Sequence, residues 1–362
     1  MSAKSLNVVS ACDEGYALGL CVMVRSVLEN LPEDVELRLF VLDGGIRCAT
    51  RERMLASWRE FDPSVEWISP DPGEWLDRVQ RRGHAGVDAT YFRLFLGELL
   101  PVDVSTVVYL DADVIVTTDL TRLFDTSFEG RPVLAVPDRY AVTLHLSRVM
   151  RATFPYRERF HEAPDYFNAG VLGIDLQAWR RERIGEQALT IARDHGEQLV
   201  FHDQDALNCV LAGRWTPLDV TWNFHELAQS LRSWETRGAS PSRLRRLWHR
   251  PGVVHFTSSD KPWDAVCLSP FRGVFDDIRG RTGFATQEDP EDAPGLLDRE
   301  IARSVELNWL LWRGVVHTRD ASLLRRAARL LLRRPWMLLT YPLWAATSWL
   351  REHAVRLREK PS

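Results

Sequence analysis

Val107-Val108-Tyr109-Leu110-Asp111-Ala112-Asp113-Val114-Ile115-Val116 is the stretch whose reading decides the fold. An apolar, β-branched run enters, two carboxylates follow with one residue between them, and a second apolar run leaves. The apolar runs read as buried strand. On an extended chain, side chains at i and i+2 point to the same side, so Asp111 and Asp113 would meet at the end of a central strand. That is where an open α/β sheet presents its ligand crevice. Two carboxylates there repel each other and resist desolvation. A divalent cation removes both problems. Oxygen ligands suit Mg²⁺ or Mn²⁺, and these ions suit a diphosphate. The alternative is a solvated Asp pair at a strand end.

Working outward, Leu6 to Ala11 predicts a first buried strand, and Ala17 to Leu28 carries apolar residues at helical spacing. Glu36 to Leu42 predicts a second strand, Arg51 to Phe61 a helix and Val65 to Ile68 a short strand. This βαβαβ order predicts a mainly parallel central sheet, hence an α/β fold. Downstream, Ala89 to Leu100 predicts a helix bearing Tyr91 and Arg93, and Pro132 to Asp138 and Tyr166 to Asp175 predict strands. A helix is expected from Leu176. His202-Asp203-Gln204-Asp205 is expected to cap a helix over Ala206 to Leu211, and Val253 to Phe256 predicts a late strand. Leu144 to Glu162 is basic and irregular and suits an insertion over the site. No G-x-G-x-x-G follows the first strand and no G-x-x-x-x-G-K-[ST] occurs, which argues against dinucleotide-binding and P-loop turns.

The length fits one large α/β domain with an appendage, or two domains. Five scattered cysteines without a C-x-x-C argue for a reducing cytosol and against a disulfide framework or zinc site. The chain opens Met1-Ser2-Ala3-Lys4-Ser5 and goes straight into a strand pattern, so no secretory signal peptide is expected. The net charge of −4 hides an asymmetry. Residues 301–362 hold twelve Lys/Arg and four Asp/Glu, a net +8, which leaves −12 on the rest. The acidic, Pro-containing run Gln287 to Gly295 is the best boundary. The expected organisation is a catalytic domain over 1–286, a linker over 287–300 and a basic, aromatic helical tail over 301–362.

Several signals fall in one order: S-A-C-D-E-G-Y after the first strand, Y-F-R, L-D-A-D, Y-F-N-A-G-V, H-D-Q-D-A-L-N and H-F-T-S-S-D-K-P-W. Together, over about residues 5 to 270, they resemble family 8 of the glycosyltransferases. These are retaining enzymes that include bacterial lipo-oligosaccharide galactosyl- and glucosyltransferases and glycogenin. The resemblance implies a GT-A nucleotide-sugar-binding fold. It also implies transfer of a hexose, galactose or glucose, from a UDP-sugar to a glycan or lipid-linked acceptor.

Residue by residue, the resemblance makes His255 the third ligand beside Asp111 and Asp113. Imidazole with carboxylates favours Mn²⁺ over Mg²⁺. The alternative for His255 is a buried strand histidine bonded to a backbone carbonyl. Lys261 would stabilise the departing UDP by charge-assisted bonding, unless it is a surface lysine before a turn. Ala11 and Asp13 match the uridine-contacting turn and Tyr16 would stack on the ring. Asp13 could instead cap the next helix. Arg93 would neutralise phosphate or hold the donor sugar by its planar fork, and Ala112 lies within the donor site. Asp138, Asn168, Ala169, Asp203 and Gln204 match positions around the donor sugar, Asp203 having a helix N-cap as its other reading. His84 matches the acceptor side. Two residues depart from the family pattern. Ser258 stands where relatives carry a Gly that lets backbone approach phosphate, and Gly15 stands where they often carry Asn. An amide is a poor nucleophile, so Gln204 is assigned to stabilising an oxocarbenium during front-face attack, with Asp203 beside it.

In the tail, Ala321 to Arg334 predicts an amphipathic helix with Arg325, Arg326, Arg329 and Arg333 on one face. Pro335 to Leu350 then runs without a charge and carries Trp336, Tyr341, Trp344 and Trp349. Sixteen residues with two prolines fall short of the ~20 needed to span a bilayer. An interfacial anchor on an anionic, cytoplasmic membrane face fits better. The other reading packs these apolar faces on the catalytic domain or a second subunit. No nucleic-acid partner is expected, and no oligomeric state follows. Two rival functions differ in class. A haloacid-dehalogenase-type phosphohydrolase also uses D-x-D, but after its first strand. An inactive nucleotide-sugar-binding protein would not need Asp111, Asp113, His255 and Lys261 together.

Overall fold

The computed structural model describes residues 4–70, 88–138, 166–196, 199, 201–225, 251–257, 261–264, 267, 269 and 271–285. His84, Ser258, the basic stretch 144–162, the linker and the tail lie outside them. The chain divides into two units, residues 1–239, 246–257 and 277–285 in the first, and 240–245, 258–276 and 286–362 in the second. In the second unit the Trp263 and Phe275 rings pack with centroids 5.8 Å apart, and Lys261 N–H donates to Asp264 Oδ2 at 2.7 Å.

The first unit opens as the apolar patterning predicts. β1 (Lys4–Cys12), α1 (Ala17–Leu28), β2 (Val35–Asp43), α2 (Cys48–Trp58) and β3 (Ser64–Ile68) follow in turn. Then come β4 (Thr106–Leu110), β5 (Val114–Val116), β6 (Val133–Pro137), β7 (Phe167–Asp175), β8 (Trp215–Pro217), β9 (Phe224–His225) and β10 (Val253–His255). Seven strands form one sheet in the order β3-β2-β1-β4-β7-β6-β8, and β5-β10-β9 form a second. β1, β2, β3 and β4 are mutually parallel where they pair, while β7 runs antiparallel to β4 and β6.

Alternate strand residues serve two cores. Val8, Leu39, Val41, Val108 and Leu110 pack with Leu20 and Val24 of α1 and Met54 and Trp58 of α2. Val9, Phe40, Leu42, Val107 and Tyr109 pack on the other face with Phe92, Leu96, Trp179 and Leu207. Burial on both faces is why these strands read as unbroken apolar runs. Each such side chain contributes about 1.5–3 kcal/mol on full burial.

Chain order reverses at β1. The chain runs β1, β2, β3 to one side and then places β4 on the other. The C-terminal ends of β1 and β4 therefore flank a topological switch point, where open α/β sheets bind ligands. Past Leu110 the chain turns through Asp111-Ala112-Asp113 and enters the second sheet as β5. This corrects the expectation of an extended D-x-D segment: the turn is needed because its two flanks belong to different sheets.

Two helices also differ from expectation. Residues 89–100 are not one helix but a turn of α-helix at Asp88–Tyr91, a 3-10 segment at Phe92–Phe95 and another α turn at Leu96–Leu99. Helix His202–Leu211 starts four residues before the expected Ala206, with Phe201 at its N-cap position. Asp203 is thus inside the first turn and is not the cap. Asp205 Oδ2 takes the Phe201 N–H instead, at 2.8 Å.

Candidate active site

The second sheet assembles a triad from distant sequence. Asp111 N–H donates to Gly170 O at 2.8 Å, which fixes the end of β4 against β7. Asp113 O accepts from Phe256 N at 3.0 Å, and β10 pairs with β5 so that His255 lies opposite Val114. One ligand atom each from Asp111, Asp113 and His255 lie within 4.8 Å of one another. His255 Nε2 is 3.2 Å from Asp113 Oδ1 and 3.7 Å from Asp111 Oδ2. Two carboxylates and one imidazole, mostly buried, form a donor set that fits a divalent cation. The side-chain partner of His255 Nδ1 is Asn223 Oδ1 at 3.0 Å, and not the backbone carbonyl of the alternative reading.

Gly170 makes room for this triad. A Cβ there would stand 2.1 Å from His255 Cε1 and 2.6 Å from Asp111 Oδ2. The register of β6 on β7 jumps from Ala135↔Leu172 to Val136↔Asn168, so Asn168-Ala169-Gly170 sit at a bulge. Bulges re-aim side chains next to functional sites. Here the bulge turns the Gly170 N–H to Asn168 Oδ1 at 3.0 Å.

Arg93 lies beneath Asp111 and is 6% exposed. Its Nη2 donates to Asp111 Oδ1 at 2.8 Å, Nη1 to Ala169 O at 2.8 Å and Nε to Thr90 O at 3.2 Å. The guanidinium covers the Tyr109 ring at 4.5 Å, and Tyr109 O–H also donates to Asp111 Oδ1, at 3.1 Å. Arg93 thus holds one oxygen of Asp111 while the other faces His255. It thereby orients the Asp111 carboxylate, a contact that the sequence expectation of a phosphate or sugar clamp did not include. Asp203 Oδ2 is 2.7 Å from Arg93 Nε, but that N–H is directed at Thr90, so this contact is charge pairing without a hydrogen bond. Burial pushes the Asp203 carboxyl up to about 7, with Arg93 pulling down and the Asp111 charge pushing up. Burial works against the Arg93 charge, and Asp111 and Asp203 more than offset it.

Helix His202–Leu211 grips β7 with two amides one turn apart. Asn208 accepts from Phe167 N and donates to Phe167 O, both at 2.9 Å. Gln204 Oε1 accepts from Ala169 N at 3.0 Å, and its Nε2 donates to the Tyr166 hydroxyl at 3.1 Å. Residues i and i+4 on a helix match i and i+2 on a strand in spacing, about 6 Å and 6.6 Å. Tyr166 passes its own hydrogen to Asp205 Oδ1 at 2.5 Å. Asp138, 5% exposed, donates its backbone N–H to Tyr166 O at 2.6 Å.

A cleft of about 270 Å³ opens at the switch point, and Ala11, Asp13, Tyr16, Arg93, Asp111, Ala112 and Asp113 line it. Asp13 does cap the following 3-10 turn, its Oδ1 accepting from Tyr16 N at 3.1 Å, and it lines the cleft as well. A carboxylate and an exposed tyrosine thus share a cleft with Asp111 and Asp113 at adjacent strand ends.

The sequence profile of glycosyl transferase family 8 matches residues 7–267. The chain belongs to glycosyltransferase family 8. The family 8 enzyme is 28% identical to General stress protein A of Bacillus subtilis (strain 168), over 79% of its own chain and 96% of that protein. It is 25% identical to the lipopolysaccharide 1,2-glucosyltransferase of Escherichia coli (strain K12), over 74% and 76%. Its structure resembles the galactosyltransferase LgtC, solved in complex with donor and acceptor sugar analogs. There the TM-score is 0.61 and the identity 28%, with 79% of this chain and 98% of LgtC covered. The family 8 transferase therefore has the GT-A fold and is a glycosyltransferase, which overturns the phosphohydrolase alternative.

Sequence reading missed Gly170, Asn223 and Tyr109 as parts of this transferase's site. Gly170 stands inside the quoted Y-F-N-A-G-V, so its place beside Asn168 was a usable signal. Asn223, in Trp222-Asn223-Phe224, carries none.

Proposed function

We propose that this glycosyltransferase moves a hexose, galactose or glucose, from a UDP-sugar to a glycan or lipid-linked acceptor, with retention and with Mn²⁺. The observation that carries this reading is the Asp111–Asp113–His255 cluster beside a switch-point cleft lined by Ala11, Asp13 and Tyr16. The two carboxylates and the imidazole would hold the cation. When bound, such a cation neutralises the diphosphate as a Lewis acid. Ala11 and Asp13 would read the uracil edge and Tyr16 would stack on it. Asp138, Asn168, Ala169 and Asp203 would surround the donor sugar, with His84 on the acceptor side and Ser258 and Lys261 at the diphosphate.

In front-face attack the acceptor oxygen bonds the anomeric carbon on the face the UDP oxygen leaves. The departing β-phosphate oxygen takes the hydroxyl proton. Lys261 stabilises the charge that grows on UDP, and Gln204 supports the positive sugar from the opposite face. The test is UDP release and product anomer with each UDP-hexose. Turnover is expected with Mn²⁺, to stop in excess EDTA, and to return when Mn²⁺ is restored. Full turnover in EDTA would remove the cation from this reading.

The proposed organisation is a catalytic region over 1–286, a linker over 287–300 and a membrane-surface tail over 301–362. Among the described residues no helix is long and apolar enough to cross a membrane. The charge split of +8 against −12 supports a tail that draws an acidic body to anionic lipid at the cytoplasmic face. Each basic residue near such a surface contributes about 1 kcal/mol. Changing Arg325, Arg326, Arg329 and Arg333 together to Gln in the full chain should abolish sedimentation with phosphatidylserine vesicles at low salt. Equal sedimentation of both proteins would make the tail a packing element.

A further inference from the structure

A hydrogen-bond chain that begins on a backbone amide determines which nitrogen of His255 carries the hydrogen. The Gly170 N–H can only donate, so the atom it meets at 3.0 Å is the carbonyl oxygen Oδ1 of Asn168. That oxygen lies 2.8 Å from one amide atom of Asn223, which must then be Nδ2. The remaining amide atom of Asn223 is Oδ1, which only accepts, and it stands 3.0 Å from His255 Nδ1. His255 Nδ1 therefore bears a hydrogen, and in the neutral imidazole Nε2 keeps its lone pair. Nε2 is the atom that faces Asp111 and Asp113.

The chain is sealed from water. Asn223 is 0% exposed, His255 4% and Asn168 8%. Competition makes the arrangement consequential. With no acceptor at Nδ1, the other tautomer would gain, because an Nε2–H would donate to the negative Asp113 Oδ1 only 3.2 Å away. A hydrogen there occupies the lone pair that a cation needs. We infer that Asn223 is a positioning residue that locks His255 in the Nδ1–H tautomer and so keeps Nε2 open toward the two aspartates. Its importance to catalysis rests on the reading of the triad as a cation site; the lock itself does not.

Two measurements separate the lock from that reading. The first is imidazole proton–nitrogen correlation spectroscopy on metal-free, nitrogen-15-labelled protein, read at a pH where the ring-nitrogen shifts themselves report neutral imidazole. His255→Gln identifies the signal. The wild type should show the Nδ1–H form, and so should Asn223→Ser, whose hydroxyl can accept from Nδ1–H while donating to Asn168 Oδ1. Asn223→Ala should shift His255 toward Nε2–H. The second is calorimetric titration of the same proteins with Mn²⁺. Affinity should fall about 10–100-fold in Asn223→Ala and be restored toward the wild-type value in Asn223→Ser. An Nε2–H tautomer in the wild type, or unchanged Mn²⁺ affinity in Asn223→Ala, would overturn the inference. A wild type that binds no Mn²⁺ but shows the Nδ1–H form would sink the cation reading and leave the lock standing.

Discussion

Replacing Asp113 with asparagine is expected to lower UDP release by at least about 10³-fold while costing the metal-free protein less stability than the same change at Asp111. The loss follows from the worth of a catalytic cation, several kcal/mol at the transition state, with each 1.36 kcal/mol a factor of ten. The smaller stability cost follows from charge. Asp113 repels Asp111 within the same cluster, and the ion pairs of Arg93 are with Asp111 and Asp203. Asp111→Asn should lose a comparable share of activity but should also destabilise the fold, by about 3 kcal/mol. The difference lies in Arg93, whose buried guanidinium is neutralised by Asp111 and Asp203. Removing one partner of a buried pair leaves an uncompensated charge. Thermal melts in EDTA beside UDP-release assays in Mn²⁺ make the comparison. Equal destabilisation by the two substitutions would show that Arg93 does not depend on Asp111.

Gly170→Ala should be nearly as damaging although it adds one methyl group. That carbon would lie 2.1 Å from His255 Cε1, inside any real contact distance. His255 cannot yield easily, because Asn223 holds its far side and β5 and β9 flank its strand. Overpacking of this kind costs about 1–3 kcal/mol, and a misplacement of about 1 Å costs about 10²-fold in rate. Mn²⁺ titration should show the affinity collapsing while circular dichroism still shows a folded α/β protein. Wild-type Mn²⁺ affinity in Gly170→Ala would mean that the bulge can move aside.

The parallel frame was legible because burial on both faces leaves apolar runs, such as Val107 to Leu110, that alternate with helical spacing along the chain. Asp111, Asp113 and His255 were legible through motif order. The turn at Asp111–Asp113 was not, because nothing local says that Val107–Leu110 and Val114–Val116 serve different sheets. The start of helix His202–Leu211 was misread for a related reason. Asp203 and Asp205 look like caps, and only tertiary contacts show that one pairs with Arg93 while the other closes the helix end. Gly170 and Asn223 matter through what they touch across the fold. One sequence does not encode that proximity in any pattern of its own.

The route of the chain through the second sheet has a bearing on biosynthesis. β5 must wait for β10, which the ribosome delivers about 140 residues later, and β9 also comes late. Such non-local pairing forms slowly, after its loop-closure entropy has been met. A nascent chain can complete the α1- and α2-covered half of the first sheet while His255 is still untranslated. It then exposes both aspartates with no imidazole beside them. On the proposed reading, cation capture by the triad belongs to the end of folding, and a chain stalled before Val253 would carry the D-x-D turn as an unfinished half-site.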